Sequence, residues 1–114
     1  DDNFCKKITR KGVHFFLCGE VGGFEGLIDA YFGRDTLEFG AEAIVDDKGK
    51  VFTCGFDDGM FHKERHNLKR HCAMGNGTQY AMAAMVLGKG AKEAVQTACK
   101  LDIFSGGRVR VHKL

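Results

Sequence analysis

The 114 residues contain no proline and no tryptophan. Chain reversals therefore fall to glycine, whose 16 residues run at about twice the average ~7% share and mark tight turns and close backbone approaches. Excess charge of one sign is also missing: 17 basic against 15 acidic side chains leave a formal net charge of +2. No strong field draws in phosphate backbones, so charge does not suggest a nucleic-acid partner. No apolar run approaches the ~18 residues of a bilayer-crossing helix, and no charged-then-apolar opening resembles a secretory signal. These absences lead us to expect no membrane partner. The five cysteines (Cys5, Cys18, Cys54, Cys72, Cys99) include no CxxC pair and no dense disulfide framework, which points to reduced thiols in a cytoplasmic protein.

About a quarter of the residues are Phe, Leu, Ile or Val, above the ~20% below which disorder is suspected, so the chain can build a core. Its length fits a single domain over residues 1–114. Asp1 is not an initiator Met, and strand-like sequence begins almost at once, so an upstream segment is expected.

Phe4 to Arg10 is strand-compatible, Lys11-Gly12 is a turn, and Val13 to Cys18 is rich in β-branched and aromatic residues, predicting a hairpin. Gly19 to Gly23 breaks that pattern. Phe24, Leu27, Ile28, Tyr31 and Phe32 then fall at helical spacing up to Gly33, a natural C-cap. A second hairpin is expected from Phe39–Val45 and Val51–Phe56 around the turn Asp46-Asp47-Lys48-Gly49. Residues 57–70 are polar and carry no clear element, with a short strand expected at Arg70–Met74. Two helices follow. The first opens at Gly75–Thr78 and would turn Tyr80, Ala81, Ala83, Ala84 and Leu87 inward. The second spans residues 91–101, with Ala91, Ala94, Val95, Ala98, Cys99 and Leu101 inward. Ser105-Gly106-Gly107 leads into a last strand with Val109 and Val111 alternating. The order of elements implies an α+β layered fold on antiparallel strands.

The densest polar cluster runs from His62 to Cys72. His62 and His66, at i and i+4, would share a helix face as metal ligands, with His71 or Cys72 completing the set. There is no HExxH order, and a basic solvated loop or a patch for phosphate or an acidic partner explains the same residues. Gly19-Glu20-Val21-Gly22-Gly23 lacks the Walker A lysine and the full GxGxxG order; what remains is a turn whose backbone N–H groups, at a helix N-terminus, suit an oxyanion. Nothing in the sequence calls for a cofactor. Asp102 and Ser105, taken alone, are capping and turn residues.

Several segments together carry a resemblance. Gly75-Asn76-Gly77-Thr78-Gln79-Tyr80-Ala81 before a small-residue helix, a second Ala-rich helix, and Asp102-x-x-Ser105-Gly106-Gly107 resemble the C-terminal half of proteasome β subunits and the related bacterial peptidase HslV. Lys7-Ile8, a hairpin, and Gly19-x-x-Gly22-Gly23 entering a helix are similar to that family's N-terminal portion. The resemblance spans Lys7 to the last strand, with the family's middle helices shortened around residues 33–40.

The resemblance implies an N-terminal nucleophile (Ntn) hydrolase fold, a four-layer αββα sandwich in which the last two helices pack on one sheet and the helix at residues 24–33 on the other. It implies a threonine-type peptidase or amidohydrolase. Lys7 would match the lysine beside the nucleophile, desolvated on an internal strand, and Gly22 the residue whose N–H receives the oxyanion. Asp102 and Ser105 would form the outer polar network, and Asn76 stands where the family usually has Ser. The family's nucleophilic Thr lies well upstream of this lysine, in a first hairpin, whereas Asp1–Lys6 contain neither Thr nor Ser. Cys5 is not placed by the oxyanion turn and is no substitute. Two expectations follow: an upstream segment supplies the Thr, or the fold serves without chemistry as a homo-oligomeric, partner-binding or inhibitory scaffold. Polypeptides are the expected substrates or partners, and the Phe4–Arg10 edge invites a partner strand or oligomerisation.

Overall fold

The three tight hairpin turns of the N-terminal region are built alike. Lys11-Gly12, Lys48-Gly49 and Asp58-Gly59 all hold both residues at positive φ (54° and 76°, 54° and 89°, 49° and 79°). That is the mirror-image turn whose twist matches antiparallel strands, and glycine at the second position relieves half of its steric cost. A computed structural model describes residues 6–34, 40–67, 69, 72–74, 78–101 and 112. The architecture is α+β, and the chain divides into two compact units, Asp1–Asn67 and Leu68–Leu114.

The first unit is a five-stranded antiparallel sheet in the order β1-β2-β3-β4-β5, with β1 Lys6–Arg10, β2 Val13–Gly19, β3 Ala41–Asp47, β4 Lys50–Asp57 and β5 Met60–Arg65. A 3-10 turn over Val21–Gly23 leads from β2 into helix α1, Phe24–Tyr31. Strand alternation puts Val13, Phe15 and Leu17 on one face with Ala41, Ala43, Val45 and Cys54, and α1 adds Phe24, Leu27, Ile28 and Tyr31 to the same core. Phe15, Leu17, Leu27 and Ile28 are fully enclosed. Phe15 meets Tyr31 and Phe32 edge to face, with ring centroids 5.1 and 5.9 Å apart.

Two expectations need correction here. The polar stretch 57–70, in which no clear element was expected, contains a strand, because Met60–Arg65 pairs along β4 from Asp57↔Met60 to Phe52↔Arg65. At the edge of the sheet among the described residues and with mostly exposed side chains, β5 needs no apolar alternation, so periodicity could not reveal it. Asp46 and Asp47 belong to β3 rather than to the turn; Asp46 caps the turn instead, its Oδ1 accepting the Gly49 N–H at 2.9 Å.

In the second unit, α2 (Thr78–Val86) packs against α3 (Ala91–Leu101) through Ala81, Ala84 and Met85 against Ala94 and Ala98. The connection is closed by Gly88 N–H to Met85 O and Lys89 N–H to Ala84 O, at 3.0 Å each. The inward faces are narrower than the sequence suggested: Ala83, Leu87, Ala91 and Val95 are exposed, with Leu87 just past the end of α2. Residues 72–74 form no strand, and the expected closing strand lies outside the described residues.

Candidate functional site

Lys6 pairs with Leu17 and Lys7 with Phe16, so the start of β1 and the end of β2 lie at one end of the sheet. Gly22 follows at that same end, in the turn that opens α1, where the Gly23 N–H donates to Glu20 O at 3.0 Å. Lys7 lies on the face away from α1, its Nζ 5.8 Å from the Phe16 ring centroid. Lys7 and the Gly22 turn thus lie toward one end of the sheet, but strand alternation puts the Lys7 side chain on the face opposite to the helix that Gly22 opens. One attribute differs from expectation: β1 is an edge strand among the described residues, and Lys7 is exposed rather than desolvated on an internal strand. Asn76, Asp102 and Ser105 lie outside the described residues.

The residue that shapes this turn is Gly19, which drew no separate attention in the sequence. Its φ is +107°, and a Cβ there would run into the Gly40 carbonyl oxygen. The neighbouring Glu20 N–H donates to that same oxygen at 2.9 Å, so the backbones must close up at this point. The signal was present in the Gly-x-x-Gly-Gly spacing, but only the pairing of Gly19 with Ala41 shows which glycine has no room for a side chain.

The histidine cluster does not form the helix face imagined for it. His62 lies within β5, where four residues span about 13 Å, and His66 follows the strand with its N–H on Val51 O at 2.8 Å. The i, i+4 argument for a shared metal ion therefore fails for His62 and His66, while His71 lies outside the described residues. Cys18, Cys54, Cys72 and Cys99 are in no disulfide among the described residues.

Sequence reasoning missed a polar cluster where α1 meets β3, β4 and β5. Tyr31 Oη donates to Asp47 Oδ2 at 2.7 Å, and Lys63 Nζ sits 4.2 Å from the Tyr31 ring centroid and 4.4 Å from that of Phe52. Burial, then the hydrogen bond to Asp47, pushes the Tyr31 phenol well above its usual value. Burial likewise pushes the Cys54 thiol up to about 12, against the opposing pull of Lys63. Both groups stay protonated at neutral pH, which removes Cys54 as a thiolate nucleophile and makes the cluster a clasp between helix and edge strand.

A cavity of about 120 Å³ lies between the Lys11 turn and the end of α1, lined by Arg10, Lys11, Ile28, Asp29, Phe32 and Arg34. Its cations sit where a helix C-terminus favours them, and Arg10 is already held 3.1 Å from the Glu25 carboxylate. Among the described residues no helix is long and apolar enough to cross a membrane. Comparison with family models, with curated proteins and with solved structures finds no match to this chain.

Proposed function

We propose that this chain is the body of a proteasome-β/HslV-like Ntn hydrolase, a threonine-type peptidase or amidohydrolase whose nucleophile is carried by a segment outside these 114 residues. The complete architecture of this reading is the four-layer αββα sandwich, and its assembly is a homo-oligomer acting on polypeptides. Lys7 supplies the ammonium that eases deprotonation of the nucleophilic hydroxyl, and the Gly22 N–H receives the oxyanion. In this reading Asp102 and Ser105 match the family's outer polar network, and Asn76 stands where the family usually has Ser.

The observation that carries this reading is the placement of Lys7 and the Gly22 turn at one end of a single sheet, in the chain order that the motifs suggest. The test is peptide hydrolysis by the protein produced with its natural upstream sequence. Lys7→Ala is expected to lower kcat at least ~100-fold with the fold intact by circular dichroism. Equal turnover in the wild type and Lys7→Ala overturns the assignment.

The outer edge of β1, unpaired among the described residues, favours a second reading, an inactive scaffold that pairs this strand with a partner chain. That reading expects no hydrolysis in either protein and a concentration-dependent mass in solution.

A further inference from the structure

On the sheet face away from α1, three polar side chains line up across three neighbouring strands. Thr9 of β1 stands opposite His14 of β2, and His14 stands opposite Asp46 of β3. Thr9 Oγ1 is 3.0 Å from His14 Nδ1, and a His14 ring nitrogen and an Asp46 carboxylate oxygen lie within 4.8 Å of each other. Exposure falls along the row: Thr9 is exposed, His14 half-buried, and Asp46 only 7% exposed. Asp46 Oδ1 also accepts the Gly49 N–H at 2.9 Å, which fixes the carboxylate at this end of β3. Lys7 shares this face two residues before Thr9, about 7 Å along the strand.

We propose that Thr9, His14 and Asp46 form an acyl-transfer centre that accepts small acyl esters, independent of any upstream nucleophile. An exposed hydroxyl within hydrogen-bond reach of an imidazole that has a carboxylate oxygen within 4.8 Å of a ring nitrogen has the components that activate a weak nucleophile. With Nδ1 as acceptor, His14 carries its proton on Nε2, and the Asp46 carboxylate lies near the ring when it takes up the proton during reaction. Thr9 Oγ bonds to the acyl carbon while its proton passes to His14 Nδ1, and the ester C–O bond breaks to release the alcohol, which takes that proton. Water then attacks the acyl-Thr9 ester, giving a proton to His14 that returns to Thr9 Oγ, and the carboxylic acid leaves. The Lys7 ammonium is the near cation for the transient oxyanion.

The experiment exposes the full chain to p-nitrophenyl acetate and maps the acetylated positions by tryptic digestion and mass spectrometry. Cleavage after Lys7 and Arg10 isolates Ile8-Thr9-Arg10, in which Thr9 is the only side-chain nucleophile. The expected result is acetylation of that peptide in the wild type and in Thr9→Ser, its loss in Thr9→Val, and acetylation at least ~100-fold slower in His14→Gln. Because Thr9 is exposed, the Thr9 variants are expected to fold, with circular dichroism as the check. Acetylation confined to lysines and cysteines, or equal labelling of this peptide in wild type and His14→Gln, overturns the proposal. The upstream-nucleophile reading stands or falls separately, on peptide hydrolysis and its dependence on Lys7.

Discussion

The two units hold together by different means. In the sheet unit, Phe15, Leu17, Leu27, Ile28 and Val45 are fully enclosed, whereas the helix pair closes on Ala81, Ala84, Ala94 and Ala98 with Met85. Large side chains give the sheet unit much apolar area per residue, and alanines give the helices close approach with little area. The sheet unit should therefore suffer most from truncation and the helix pair most from enlargement.

The largest expected effect is at Phe15. Phe15→Ala removes a ring in contact with Tyr31 and Phe32 and should destabilise the sheet unit by about 3–5 kcal/mol, read as lost amide protection in β2 and β3. A loss below ~1 kcal/mol would mean that the enclosed ring contributes little and that the contrast is misdrawn. Next is Ala98→Leu, which forces extra methylenes between α2 and α3 at a position 5% exposed; a cost of about 1–3 kcal/mol is expected in the exchange of α3 amides. Neutral or improved protection there would show that the helix pair has room to spare.

Much of the sheet unit was legible because its elements announce themselves. Val13–Cys18 is β-branched and aromatic, Phe24–Phe32 keeps helical spacing, and Lys48-Gly49 marks a hairpin. The α3 boundaries were also readable, since Gly88 and Gly90 precede a strongly amphipathic stretch. Illegible parts share a cause: their roles depend on register. β5 carries polar side chains on both faces and is recognisable only through its pairing with β4. Asp46 reads as a turn residue until its burial between strands is seen, and the Thr9–His14–Asp46 row exists only once three strands are aligned. The inward face of α2 was overestimated because apolar and small residues surround that helix on all sides. Of the candidate site, Lys7 and Gly22 were locatable from a hairpin and a glycine bend, whereas the exposure of Lys7 follows from the place of β1 at the edge of the sheet among the described residues.

Smaller effects sharpen the same contrast. Tyr31 and Cys54 both have raised pKa values in the folded protein, so the unfolded chain loses these protons first as pH rises. Stability they support is intact below the ordinary thiol value of 9.0 and is lost as pH climbs toward their folded values. Denaturant midpoints should therefore fall above about pH 9, and Tyr31→Phe should flatten part of that fall. An unchanged slope in Tyr31→Phe would remove the phenol from the account. Smallest is Lys63→Met, which deletes the ammonium over Tyr31 and Phe52 and should cost about 0.5–1 kcal/mol.

The functional account depends most on what precedes Lys7 in the mature molecule. N-terminal sequencing and intact-mass measurement of the protein from its natural source test this directly. The account predicts a mature chain that begins with threonine upstream of Asp1. A mature chain in which Asp1 directly follows an initiator methionine, with no turnover of peptide substrates, would contradict it.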